Sequence, residues 1–146
     1  MFDSARNSAA ISAEVQSNVH SNEVESGPSR RSYAEIRRVR ELMRARARRT
    51  DHFSAQFFSD PAWDILLDLY LAELLQCRMI ISSLGASANI PPTTALRWIE
   101  VLRAEGLIEK ASDPLDKRRT FVSLTESGCA AMQNYFAGFD EPPIMH

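Results

Sequence analysis

The 146-residue sequence has two cysteines, three histidines and five glycines, and it holds no long apolar run. Each scarcity closes off a class of function. Cys77 and Cys129 lie far apart with no CxxC pairing, so they read as small apolar side chains in a reducing compartment, and a redox switch has little support. His20, His52 and His146 have no nucleophile or carboxylate at catalytic spacing, and no glycine-rich loop could cradle a phosphate. No catalytic residue, no metal site and no cofactor is assigned; an enzyme is not expected. No stretch approaches the ~18–20 apolar residues of a membrane span, and the N-terminus lacks the apolar core of a secretory signal. A cytoplasmic chain without membrane contact is the expectation.

What is present is a 45% hydrophobic composition, enough for one real core, and a strongly uneven charge. The net charge is −2, yet residues 30–49 carry nine arginines against Glu35 and Glu41. Residues 97–119 hold six bases and five acids, with Lys117, Arg118 and Arg119 adjacent. Local fields of this kind favour association with polyanions whatever the total charge.

Residues 1–32 contain eight serines and few large apolar side chains, the composition of a disordered tail. From Tyr33 to about Thr50 the chain reads as a basic amphipathic helix with Ile36, Val39, Met43 and Ala47 on one face. Arg37, Arg40, Arg44 and Arg48 occupy an adjoining face. Three readings stand for that row: a solvated surface, phosphate or dimer contacts, or ion pairs with a facing acidic surface. Asp60-Pro61 then opens a second helix, Asp as cap and Pro in the first turn, running to about Gln76. Asp60, Asp64 and Asp68 share one of its faces, and a structural role is expected for them. Its many leucines make this helix the scaffold.

Beyond a short connection at Cys77–Ile80, a helix is expected over about Ser82–Ala88, capped by Ser82 or Ser83, with Gly85 in its middle and Asn89 in a tight turn. Pro91-Pro92 can only open the next helix, which runs to about Glu105 and stops at Gly106. Its periodicity puts Ala95, Leu96, Ile99 and Leu102 inward, and Thr93, Thr94, Arg97, Glu100, Val101 and Ala104 outward. Trp98 falls between the faces and is expected to pack at a boundary. Hydroxyls and an arginine at the leading end suit phosphates and base edges of a major groove. Leu107–Lys110 and Thr120–Leu124 read as strands of a hairpin whose turn carries Lys117, Arg118 and Arg119. Asp116 could pair with Arg118 and hold it extended toward a minor groove. A helix is expected over about Glu126–Phe139, before Pro142-Pro143.

The run DPLDKRRTFVSLTESG resembles the wing of MarR-type winged helix-turn-helix transcription regulators, pattern D-x-x-D-x-R-x-x-x-V-x-L-T-x-x-G. Asp113, Asp116, Arg118, Val122, Leu124, Thr125 and Gly128 match it in place. The preceding TTALRWIEVLRAEGLIEK resembles that family's recognition helix and its exit, so the likeness spans roughly Phe57–Phe136. It implies a mainly α fold with a small β-hairpin wing and a sequence-specific, repressor-like regulator of transcription. Members are typically homodimers on pseudo-palindromic operators and often answer to small phenolic ligands or oxidants. The implied DNA-binding residues are Ser82, Thr93, Thr94, Arg97, Lys117, Arg118 and Arg119, with Asp116 orienting the wing. Double-stranded DNA and a second copy are the implied partners, and a small-molecule effector has no identifiable chemistry. The alternative is a winged-helix module that binds protein without specific DNA binding. The expected layout is a tail over 1–32, a basic, candidate dimerisation helix over 33–52, the winged helix over 53–140 and a C-terminal tail over 141–146.

Overall fold

The computed structural model describes residues 30–86 and 88–140, so residues 1–29 of the tail expected over 1–32, Ser87 and the tail over 141–146 lie outside the described residues, while residues 30–32 are helical and not tail. Helix α1 spans Arg30–His52, a few residues longer at each end than the periodicity predicts. Three of the four stripe residues face inward: Ile36 and Val39 are buried and Met43 packs on the core, but Ala47 is exposed. A single-turn 3-10 segment, Ala55–Phe58, leads to α2, Pro61–Leu74. Helix α2 buries Ile65, Leu67, Leu69 and Tyr70 almost completely and packs against α1 and three later elements, as expected of a scaffold.

The α1–α2 seam is partly polar. The Tyr70 hydroxyl donates to Glu35 Oε1 at 2.5 Å. Burial, then that hydrogen bond, pushes the Tyr70 hydroxyl far above the ordinary tyrosine range, so it stays a donor at any physiological pH. Lower down, Arg46 Nε donates to Asp64 Oδ1 at 3.0 Å. Asp60 was expected to cap α2 but makes no side-chain capping bond. Its carboxylate lies 3.7 Å from Arg46 Nη2, so the charge of the neighbouring helix has displaced the cap.

Strand β1, Met79–Ile80, joins the hairpin of β2, Ile108–Ser112, and β3, Thr120–Leu124, in an antiparallel sheet of order β1-β3-β2. Met79 pairs with Val122, and Ile108 pairs with Leu124. Between β1 and the reading helix, the expected Ser82–Ala88 helix is absent from the described residues. A 3-10 turn at Ile81–Ser83 and further turns take its place. Gly85 explains the difference. It sits at φ +76°, outside any right-handed helix, and its amide donates to the buried Asp68 carboxylate at 3.1 Å. A Cβ there would stand 2.9 Å from Ile90 Cβ. Asn89 takes the expected positive φ, +55°.

Helix α3, Pro92–Ala104, has Pro92 in its first turn and ends before Gly106 at φ +75°. Ala95, Ile99 and Leu102 are buried as predicted, but Leu96 is 47% exposed. Leu96 lines an open groove beside the turn after β1. Helix α4, Glu126–Ala137, is capped by Thr125, whose Oγ1 accepts from the Gly128 amide at 3.0 Å and donates to the Gly106 carbonyl at 2.6 Å. It ends in a 3-10 turn, Gly138–Asp140. Phe136 stacks on Tyr70, and Tyr135 meets Trp63 edge-on, closing the core from the far side.

Candidate nucleic-acid interface

The amphipathic division of α3 sets its outer face. Burial of Ala95, Ile99 and Leu102 turns Thr93, Arg97, Glu100, Val101 and Ala104 to solvent, with Thr94 half-buried. Pro91 and Pro92 lack amide hydrogens, and no side chain caps the helix start. Arg97 is exposed, its guanidinium 5.9 Å from the Trp98 ring. Trp98 packs against the core at the edge of this face, consistent with a boundary role. Glu100 occupies the middle of the face and was not singled out from the sequence. It is tied to Lys110 on β2 at 2.6 Å and to Arg103 at 2.9 Å, linking the helix to the wing base. Lys110 first, then Arg103, holds its carboxyl below the usual glutamate range.

The wing tip is organised by its two aspartates. Asp113 is buried; its Oδ1 accepts from the Leu115 amide at 2.8 Å, and its own amide donates to the Arg119 carbonyl at 3.0 Å. Asp116 Oδ1 accepts from the Arg118 amide at 3.0 Å, while its distance to Arg118 Nε is 3.8 Å. Asp116 therefore shapes the turn more than it grips the guanidinium, and the Arg118 side chain projects with 95% exposure. Lys117 is exposed beside it. Arg119 behaves differently. It shares the Phe121 ring with Arg78, at 5.9 and 5.1 Å, and lies 4.0 Å from Asp113. Leu115, fully solvated at the tip, had no signal in the sequence beyond its place in a turn.

An open groove of about 670 Å³ separates the turn after β1 from the wing, and Ser82, Pro92, Leu96, Arg118 and Arg119 line it. The fold thus gathers Ser82, the start of α3 and two wing arginines around one concavity, with Arg97 and Lys117 outside it. A second groove, about 440 Å³, lies between the C-terminal half of α1 and the approach to α3, lined by Arg44, Arg46, Arg49, Asn89 and Thr94 among others.

Residues 74–128, covering this helix and its wing, match the family model described as a winged helix DNA-binding domain. Over that stretch the chain is similar to winged helix DNA-binding domains. It is 32% identical over 90 residues to the HTH-type transcriptional regulator YwaE of Bacillus subtilis (strain 168), covering 62% of this chain and 50% of that protein. The chain thus spans about half the length of the curated relative it matches. Among solved structures it resembles the S. aureus MepR–DNA complex (TM-score 0.51, 18% identity, 74% of this chain and 82% of that one). It also resembles AF1382 from Archaeoglobus fulgidus (TM-score 0.50, 20% identity, 57% and 88%). At such identities the likeness speaks for the fold. The resemblance read from the wing motif, and the mainly α architecture with a hairpin wing, are borne out.

The motif of the winged helix now has physical content. A Cβ on Gly128 would stand 2.1 Å from the Leu107 carbonyl oxygen, the same oxygen that accepts from the Thr125 amide at 3.0 Å. Thr125 and Gly128 together let α4 begin directly against the strand entry, which closes the base of the wing. The α1 arginines divide. Arg37, Arg40, Arg44 and Arg48 are exposed, with Arg37 4.0 Å from Glu41. Arg46, seven residues after Val39, is the one that continues the buried stripe, and that spacing was the signal that could have found it. The burial of Cys129, helped by Glu73 and Glu109, pushes its thiol up, against an easily oxidised thiolate. Among the described residues no group of three or more His, Cys, Asp or Glu side chains could hold a metal ion, and no helix is long and apolar enough to cross a membrane.

Proposed function

We propose that this chain is a sequence-specific, non-enzymatic regulator of transcription that binds double-stranded DNA as a homodimer in the cytoplasm. The observation that carries the reading is the amphipathic split of α3. Its buried face is locked to the core by Ile99 and Leu102, while Thr93 and Arg97 face solvent next to a wing tipped by Lys117 and Arg118. In this reading α3 enters a major groove, where Arg97 suits the O6/N7 pair of guanine and Thr93 and Thr94 suit phosphates, base edges or a thymine methyl. Arg118 enters the adjacent minor groove, its approach set by the Asp116 turn. Arg119, held over Phe121, supplies charge at the wing base, and Ser82 contacts the backbone from the opposite rim. The MepR–DNA complex, a structure of the same fold, supports duplex DNA as the partner.

Two half-exposed aromatics on the final helical segment, Tyr135 and Phe139, support a second copy packing there. A dimer would set two α3 helices into successive major grooves about one helical turn apart. Selection of bound duplexes from a random pool tests the reading. An enriched pseudo-palindrome is expected, and Arg97→Ala should cost about 1–3 kcal/mol and relax one position of it. Recovery of no motif would move the protein to the class of winged helices that bind other proteins.

A further inference from the structure

Resting on the DNA-binding reading above, we propose that the C-terminal half of α1 is a phosphate clamp. Arg44 and Arg49, facing Thr94, grip the DNA backbone that flanks the major groove entered by α3. The arginines of α1 are of distinct kinds. Arg46 is largely buried and held by Asp64 at 2.9 Å, with Asp60 at 3.7 Å. Arg37 sits beside Glu41 on the open surface. Arg44 and Arg49 instead line the groove of about 440 Å³ whose opposite wall is Asn89, Pro91 and Thr94. The two carboxylates in that groove, Asp60 and Asp64, are those already held against Arg46. Three arginines thus face two carboxylates, and the groove keeps a net positive charge for an outside anion.

Arg49 is also pre-positioned. Its Nε donates to the Arg46 carbonyl at 3.2 Å and its guanidinium lies 4.5 Å from the Phe58 ring centroid, so its terminal amines project from a fixed base. Thr94 adds a half-buried hydroxyl from the first turn of α3. The position selects the anion. The wall facing Arg44 and Arg49 is the leading turn of the helix that enters the major groove, so that entry brings the phosphates at the groove's edge to the clamp. Arg37, Arg40 and Arg48 do not line this groove and have no such part.

The experiment measures affinity for a short labelled duplex of mixed sequence, and for the duplex enriched by selection, across a series of KCl concentrations. Full-length protein is compared with Arg44→Gln/Arg49→Gln and with Arg37→Gln/Arg40→Gln, which removes the same charge from the far half of α1. Each neutralised phosphate contributes about 0.9 to the slope of log K against log salt, so the first variant, lacking two arginines in each of two subunits, should lose about 3.6 per bound dimer and weaken on both duplexes alike. The second variant should keep the parent slope. Arg44→Lys/Arg49→Lys should recover most of it, because charge suffices. Arg44→Gln alone, at an exposed site, should lose about 1.8 per bound dimer even if the Arg49 change disturbs Phe58. Equal slopes in the parent and the first variant, with Arg97→Ala still relaxing base preference, would overturn the clamp and leave the regulator. A fall in dimer mass with no change of slope would overturn it too, and assign these arginines to a subunit contact. Absence of salt-dependent binding in the parent protein would overturn both readings together.

Discussion

Replacing Arg46 by Met tests whether one arginine of α1 belongs to the core while its neighbours belong to the surface. The side chains of Arg46 and Asp64 are 15% and 19% exposed, and Nη2 is buried without a well-aligned acceptor although it lies 2.9 Å from Asp64 Oδ1. Removing one member of a buried ion pair typically costs about 3–5 kcal/mol, because the other charge is left without a partner. The residual exposure lets water reach Asp64, so Arg46→Met should cost about 2–3 kcal/mol. Asp64→Asn should cost less, about 1–2 kcal/mol, since the Asp60 carboxylate at 3.7 Å remains for Arg46. Arg46→Met/Asp64→Leu should recover most of the loss, because a well-packed apolar pair serves as well as a buried ionic one. Arg37→Met on the same helix should fall within about 0.5 kcal/mol of the parent, as expected of an exposed i,i+4 pair. Urea denaturation followed by the helical circular dichroism signal reads all four. An Arg46→Met midpoint no lower than that of Arg37→Met would refute the claim that this pair is part of the core.

Two glycines should respond very differently to alanine. Gly128→Ala must push a backbone carbonyl from 2.1 Å and should cost about 3 kcal/mol or more. Gly106→Ala meets nothing within 4 Å and should pay only the left-handed backbone penalty, about 1–2 kcal/mol; melting temperatures in the reverse order would contradict the packing described. Arg118→Ala should weaken binding most on duplexes with A·T-rich flanks and leave thermal stability unchanged, read by anisotropy on flank-swapped duplexes. A uniform loss across flanks would take Arg118 out of the minor groove. Cys129 should alkylate more slowly at pH 8 than glutathione, since burial raises its thiol and thins the thiolate; mass spectrometry of iodoacetamide-treated native protein measures it, and labelling at the free-thiol rate would reopen a redox role.

Local rules reached far along this chain. Pro92 and Gly106 bound α3 as their chemistry requires, Asn89 takes its positive φ, and the hairpin turns where Asp113 and Asp116 supply acceptors. They failed where a distant residue decided the outcome. The Ser82–Ala88 periodicity suits a helix, yet Asp68, 17 residues upstream, holds the Gly85 amide in a left-handed turn. Asp60 looks like a cap until Arg46 is brought against it, and Leu96 looks like core until it is found on an open groove beside the turn after β1. Each failure has one cause: a one-dimensional pattern carries no information about which element comes to lie opposite.

The sequence by itself determined the hairpin wing, the outward Thr93 and Arg97 of α3, and the Ile36, Val39 and Met43 stripe of α1, because spacing and turn chemistry act within a few residues. Only the tertiary structure decided where the arginines of α1 lie. It turned Arg46 inward onto Asp64, left Arg37 beside Glu41, and set Arg44 and Arg49 across a groove from Thr94. Those fates diverge within one helix because charge acts through what packs opposite it, and that is settled by the fold of the whole chain.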